Sequence, residues 1–210
     1  PPRSTLFPYT TLFRSDIGLT FASGLRSILR QSPDVVMLGE IRDSETADIA
    51  IKASLTGQLV LSTLHTNDAS GALTRLVDMG VESFLVASSV IAICAQRLCR
   101  TICPKCKEPV DIPEKILKDF KNKIKPGMTF FAGKGCDFCR HTGYYGRQGV
   151  IEVLEVDELI REMLIKGTSS SVIKEYAMKK GMTTLWDDAV EKWVAGKTTA
   201  EEVLRITSED

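Results

Sequence analysis

Four cysteines carry the clearest chemistry in the chain: Cys103-Pro-Lys-Cys106 and Cys136-Asp-Phe-Cys139, two C-x2-C pairs separated by residues 107–135. A pair with that spacing turns both thiolates toward one point. Two such pairs can complete the tetrahedral S4 shell that Zn2+ takes in closed structural sites. Two disulfides, or four ordinary buried thiols, are the alternatives. A second constellation offers oxygen and nitrogen. Glu40 follows the apolar run Val35-Val36-Met37-Leu38, and His65, with Thr66, Asn67 and Asp68, follows Leu59–Leu64. In open α/β sheets, ligands bind at the carboxyl ends of strands. A carboxylate placed there can polarise water for attack on a phosphoryl group or help to hold Mg2+, and a His–Thr–Asn cluster can sense a γ-phosphate. Each alone has a plain alternative: Glu40 as a turn residue, His65 as a hydrogen-bonded structural residue.

These residues need elements to position them. Residues 20–31 predict a helix with Phe21, Leu25, Ile28 and Leu29 on one face and Arg26 and Arg30 together on another, ended by Ser32-Pro33. The unbroken apolar run Val35–Leu38 predicts a strand buried on both faces of a parallel sheet. A helix over 45–55, a second buried strand over 59–64, a helix from Ala69 closed by Gly80, and a helix over 83–98 follow. Strand, helix, strand, helix is the doubly wound α/β pattern. Cys94 and Cys99 then fall in the last of these helices, as packed thiols rather than ligands. Beyond the cysteines, 148–156 reads as a strand and 157–165, 170–180, 184–195 and 199–206 as helices. Thr199-Ala200-Glu201-Glu202 has the form of a capping box, and Gly181 and Gly196 that of C′ caps.

Composition sets the frame. The 210 residues are 43% hydrophobic and 26% charged, values ordinary for a globular chain. No apolar run approaches the length of a transmembrane helix, and no export signal is evident at the start. Six cysteines without such a signal favour a reducing compartment, where metal binding prevails over disulfides. Net charge is zero but uneven: residues 97–147 hold 12 Lys/Arg against 5 Asp/Glu, and residues 148–210 hold 8 against 13. The basic island suits nucleic acid, anionic lipid or an acidic partner, or is simply a solvated loop. Residues 1–15, PPRSTLFPYTTLFRS, nearly repeat themselves and resemble a translated sequencing adapter. They are expected to be a disordered, non-native leader, with a β-prone arm as the alternative.

Taken together, the motifs resemble the secretion ATPases of type II secretion and type IV pilus assembly. Residues 19–69 carry GEIRD and STLHTND, 97–110 and 135–154 resemble that family's tetracysteine module, and 180–207 its C-terminal helices. The resemblance implies the C-terminal part of a RecA-like P-loop NTPase core with a zinc-binding insert and a C-terminal helical subdomain. The expected division is 16–99, 100–147 and 148–210. Glu40 would be the catalytic carboxylate of the Walker B strand and His65 the His-box residue near the γ-phosphate. Arg42, Asp43, Thr66, Asn67, Gln96 and Arg97 would serve the nucleotide or the next subunit, and Cys103, Cys106, Cys136 and Cys139 would hold Zn2+. ATP, Mg2+ and Zn2+ are the implied cofactors. A homo-hexamer acting on an inner-membrane platform protein, cytoplasmic and peripheral to the membrane, is the implied assembly, with no nucleic acid. Two departures stand out: Gln58 replaces the family's usual histidine, and no G-x-x-x-x-G-K-[ST] loop occurs to cradle phosphates. The chain is therefore expected to be a portion of a longer protein, inactive alone. A zinc-ribbon nucleic-acid-binding protein on an α/β scaffold, and a ring component without turnover, are the competing readings.

Overall fold

The computed structural model describes residues 20–113, 116, 120, 124 and 127–207; the expected leader lies outside them. Helix α1 (Phe21–Leu29) starts where the Thr20 hydroxyl accepts from the Ser23 N–H at 3.2 Å, satisfying a donor the helix leaves open. Strands β1 (Val35–Met37) and β2 (Leu59–Leu61) pair in parallel, Val35 opposite Leu59 and Met37 opposite Leu61. A parallel pair needs a crossover, and α2 (Ser44–Leu55) supplies it. Asp43 caps α2, accepting from the Thr46 N–H at 2.7 Å. Gly57, at φ 101, turns the chain into β2. The expected two-sided burial of these strands does not hold. Val36 and Leu38 are buried, but Val35 is 55% and Met37 79% exposed. The reason is that the sheet has two strands among the described residues and helices over one face. An apolar run reports a strand's composition, not what covers it.

Helix α3 (Ala69–Asp78) buries Ala69, Ala72, Leu73 and Leu76, the i, i+3, i+4, i+7 stripe of a half-buried helix. Helix α4 (Ser83–Ser89) is short. The helix expected over 83–98 stops there, and β3 (Ala92–Ile102) takes its second half. Val90, Ile91 and Ile93 are β-branched and favour extended backbone; Val90 already sits at φ −78, ψ 126. Cys94 and Cys99 are therefore strand residues, Cys94 exposed and Cys99 buried. Strand β3 pairs with β6 (Tyr144–Glu155). The Cys99 thiol meets the Gln148 carbonyl and the Thr101 hydroxyl the Tyr145 carbonyl, so the two strands run in opposite directions. Between them, β4 (Lys107–Val110) and β5 (Phe130–Gly133) form an antiparallel hairpin. Helices α5 (Glu158–Ile165), α6 (Ser170–Lys179), α7 (Leu185–Val194) and α8 (Ala200–Thr207) complete the chain. Gly181 and Gly196 take the left-handed conformation expected of C′ positions.

The described residues fall into two compact units. The first holds residues up to Thr66, Ser70–Ile91 and Glu155–Ile173. Leu25, Ala47, Ile51, Leu73, Val86, Ile160 and Leu164 are buried in it, and Arg161 donates to the Ala87 carbonyl at 2.7 Å, tying α5 to α4. The second holds Asn67–Ala69, Ala92–Leu154 and the chain from Lys174. Its core gathers around fully buried Trp193, stacked with Phe130 at 4.5 Å between ring centroids and tilted against Phe120 at 4.6 Å. Val150, Val190 and Val203 fill the rest.

The second unit also buries Glu202. Only half of the expected capping box forms. The Thr199 hydroxyl accepts from the Glu202 N–H at 3.4 Å, but the Glu202 carboxylate goes elsewhere. It accepts from the Arg100 N–H at 2.8 Å, from the Arg100 guanidinium at 2.7 Å and from Arg205 at 2.8 Å. Charge-assisted bonds of this kind outcompete a neutral backbone donor.

Candidate functional site

In the first unit, the carboxyl ends of β1 and β2 open into a cavity of about 290 Å3 lined by Glu40, Ile41, Arg42, Leu64, His65, Arg75 and Met79. The strand ends are held in register by backbone. Leu38 N–H donates to Leu61, Ile41 N–H to Thr63, and the Thr63 hydroxyl to the Gly39 carbonyl at 2.7 Å. That lacing brings Glu40 and His65 side by side: His65 Nε2 lies 2.6 Å from Glu40 Oε1. Arg42 engages the other oxygen, Oε2, at 2.7 Å. The Glu40 side chain is 18% exposed, while those of His65 and Arg42 are 87% and 77% exposed. The centre of the cluster is thus a sheltered carboxylate with both oxygens engaged by groups that reach in from solvent.

Asp43 is not in this cluster; its carboxylate is committed to the α2 cap, accepting from Thr46 through both oxygens. Thr66 is half-buried at the end of the His65 segment. Gln58 lies half-buried just before β2, its Oε1 enclosed without a hydrogen-bond partner among the described residues. Arg75 and Met79 line the cavity and were missed in the sequence. The signal was available: Arg75 is in the last turn of α3 and Met79 follows its end four residues on, a spacing that puts two side chains on one side of a helical turn.

In the second unit, Arg97 reaches Asn67, its guanidinium 3.4 Å from both the backbone and the side-chain oxygen. Gln96 is exposed on the opposite face of β3. The four cysteines converge. The β4–β5 hairpin pairs Lys107 with Gly133, which brings the residues just outside its open end, Cys106 and Cys136, close together. The Sγ–Sγ separations are 3.9 Å for Cys103–Cys136, 3.8 Å for Cys106–Cys139 and 3.8 Å for Cys136–Cys139, and all four sulfurs lie within 4.8 Å of one another. A tetrahedron of ~2.3 Å Zn–S bonds has edges of about 3.8 Å, so the donor set fits Zn2+. Backbone N–H groups also aim at the sulfurs: Gly135 at Cys106 (3.4 Å), Cys136 and Gly143 at Cys139 (3.2 and 3.3 Å).

Two of the four thiols, Cys106 and Cys139, are shifted in opposite directions. Burial, together with the three neighbouring thiols, pushes Cys106 up to about 12 against the Gly135 N–H. Burial also acts to raise Cys139, but the Cys136 and Gly143 N–H groups and the adjoining thiols outweigh it and bring it down to about 6. Cys99 stands apart, its thiol raised by burial in the core.

The family description "Type II/IV secretion system protein" matches residues 10–205. Type II secretion system protein E of Aeromonas hydrophila is 48% identical over 200 residues, covering 95% of this chain and 40% of that protein. Type IV pilus assembly ATPase PilB of Thermus thermophilus is 48% identical over 194 residues, 91% of this chain and 22% of that one. The chain thus spans well under half the length of these relatives. Among solved structures, the Legionella pneumophila ATPase DotB superposes with a TM-score of 0.62 at 24% identity over 89% of this chain and 42% of that one. The pilus retraction motor PilT with bound ADP gives 0.61 at 24% identity, over 91% and 44%. The mixed α/β fold is that of these RecA-like secretion ATPases. With a family match running through nearly the whole sequence, over a fold of the same kind, the chain belongs to the type II/IV secretion system protein family.

Proposed function

We propose that the chain is the C-terminal portion of a hexameric ATPase that powers type II protein secretion or type IV pilus assembly. The observation that carries this reading is the Glu40–His65–Arg42 cluster at the strand ends. Glu40 acts as the general base that orients water for attack on the γ-phosphate. In the arrangement described, both its oxygens are engaged. A triphosphate entering the cavity competes for Arg42 and His65, and the carboxylate is then free to accept from water. Asp43 fixes the turn that carries Arg42. Thr66, Asn67, Gln96 and Arg97 contact the nucleotide or the neighbouring subunit, and Mg2+ enters with ATP. Zn2+, held by Cys103, Cys106, Cys136 and Cys139, supplies a cross-link rather than reactivity.

On this reading residues 1–15 are a non-native leader, 16–99 belong to the ATPase core, 100–147 form the zinc module and 148–210 the helical subdomain. The assembly works against a platform protein at the cytoplasmic side of the inner membrane. In support, no helix among the described residues is long and apolar enough to cross a membrane, and named relatives are a type II secretion protein and a pilus assembly ATPase.

The test is Glu40→Gln in a chain of the relatives' full length. ATP binding is retained and turnover falls by at least about 100-fold, the contribution of a general base. Wild-type affinity together with wild-type turnover would overturn the assignment. The 16–210 segment alone, without a phosphate-cradling loop, does not turn over ATP. Robust hydrolysis by it, abolished by Glu40→Gln, would show that the site is complete within this segment.

A further inference from the structure

We propose that Arg75 is the residue that first takes the terminal phosphate of the nucleotide in the cavity at the ends of β1 and β2. All the residues that line this cavity belong to the first unit. Among them are one acid, Glu40, and two guanidiniums, those of Arg42 and Arg75. Arg42 is held by Glu40 at 2.7 Å, and His65 lies 2.6 Å from the other carboxylate oxygen. Arg75 makes no side-chain hydrogen bond or ion pair among the described residues. The cavity wall therefore carries one positive charge without a counter-charge. At about 290 Å3 the cavity is at the low end for a small-molecule pocket, and no Phe, Tyr or Trp lines it on which a base could stack. Its size and its surplus charge suit a phosphate group rather than a nucleoside.

The last turn of α3 places Arg75. Its neighbours Leu73 and Leu76 are buried in the first unit, while Arg75 itself is exposed. The Met79 N–H donates to the Arg75 carbonyl at 3.0 Å and closes the turn. Gly80, at φ 94, then carries the chain off the helix toward buried Val81. A cation in the last turn also suits the negative end of the helix, and a lysine would serve there equally. The planar fork of arginine adds what a lysine lacks, two parallel bonds to phosphate oxygens. The two arginines differ in what an arriving phosphate must displace. To reach Arg42 or His65 it has to break a charge-assisted bond to Glu40, whereas at Arg75 it displaces water. Arg75 thus gives the first hold. A phosphate held there competes at short range for Arg42 and His65, and Glu40 is released to accept from water.

The inference rests on the ATPase reading, and the experiment keeps the two apart. A chain of the relatives' full length is made as wild type, Arg75→Gln and Arg75→Lys. Affinities for ADP and for a non-hydrolysable ATP analogue, both with Mg2+, are measured together with steady-state ATP turnover and melting temperature. Arg75→Gln is expected to weaken the analogue by at least about tenfold, the loss of one charge-assisted contact, with ADP affinity within about twofold and melting temperature near wild type. Arg75→Lys recovers part of the loss, because the charge stays and the fork goes. Equal weakening of both ligands, or weakening of neither, would overturn the proposal, since only a contact to the third phosphate tells the two apart. Should Arg75→Gln fold poorly, Arg75→Lys decides: an analogue-to-ADP affinity ratio lowered at least about threefold upholds the role, and an unchanged ratio refutes it. A wild-type chain that binds the analogue without hydrolysing ATP sinks the ATPase reading alone, and the affinity ratio still decides Arg75. Normal turnover with an unaltered ratio in the variants sinks the Arg75 role alone, and a wild-type chain that binds neither ligand sinks both.

Discussion

Three glutamates show how far one residue type is reshaped by its surroundings. Glu40 stands at a strand end with solvent at hand, Glu152 is enclosed by the backbone N–H groups of Ala69 and Leu185, and Glu202 is enclosed by guanidiniums. Burial alone would raise the Glu202 carboxyl. Arg205 and Arg100, with the Arg100 N–H, outweigh it and hold it down to about 2. Its ordinary value is 4.5, so the folded form is the stronger acid. This stabilisation is complete above about pH 4.5 and is lost as the pH falls toward about 2. The shift corresponds to about 3 kcal/mol at ~1.4 kcal/mol per unit. Because the Arg100 and Arg205 side chains are about half exposed, screening cuts it to about 1–2 kcal/mol. Glu202→Gln is therefore expected to flatten the acid limb of a denaturant-midpoint profile between pH 4.5 and 2; an unchanged limb would refute it. Glu40 and His65 were legible in the sequence because each follows a short apolar run. Glu152 and Glu202 were not: a glutamate alternating with apolar residues, or following a threonine at a helix start, reads as a surface or cap residue until its partners at Ala69 and Arg100 are known.

At the scale of elements, the four-cysteine module depends on a close backbone approach between Gly133, at the end of β5, and Gly143, which leaves no room for a side chain on either. Gly143 sits at φ 76, and a Cβ there would come 2.5 Å from the Gly133 carbonyl oxygen. Gly143 also sends its N–H to the Cys139 sulfur. Gly143→Ala combines a left-handed backbone with a clash and is expected to cost about 2 kcal/mol or more. Elemental analysis should find one zinc per wild-type chain from fresh, reduced protein, and well under one in the variant after dialysis against a chelator. A full complement in both would contradict the account. Stripping the metal should speed hydrogen exchange over residues 100–110 and 130–147 and spare α1–α3. The C-x2-C spacing makes this element readable from residue types alone. The boundary between α4 and β3 is not readable in that way, because Phe84, Leu85, Val86, Val90 and Ile91 satisfy a helical stripe as readily as a strand. Pairing with β6, some fifty residues away, settles it.

For the whole molecule, the order of elements up to α4 and the pairing of the four cysteines were legible in residue types and spacing, and the family in the resemblance of the motifs, since each is a local pattern; β3 and the β4–β5 hairpin, which depend on distant partners, were not. The coverage of the sheet was not, because it depends on what lies beside it. That leaves a practical matter of handling. Val35, Met37, Leu59 and Leu61 present an oily face, each between 47% and 79% exposed, on a two-stranded ribbon whose outer backbone can template further strands. Made as a separate polypeptide, this segment should behave as a poor colloid: sticky on columns, turbid on concentration and quieter in high-pH, low-salt buffer. Met37→Lys with Leu59→Lys should shift its sedimentation toward a single species across a tenfold range of loading. The same two changes should leave zinc content and far-ultraviolet circular dichroism as they were. Association that persists unaltered in the double variant would place the stickiness elsewhere on the surface.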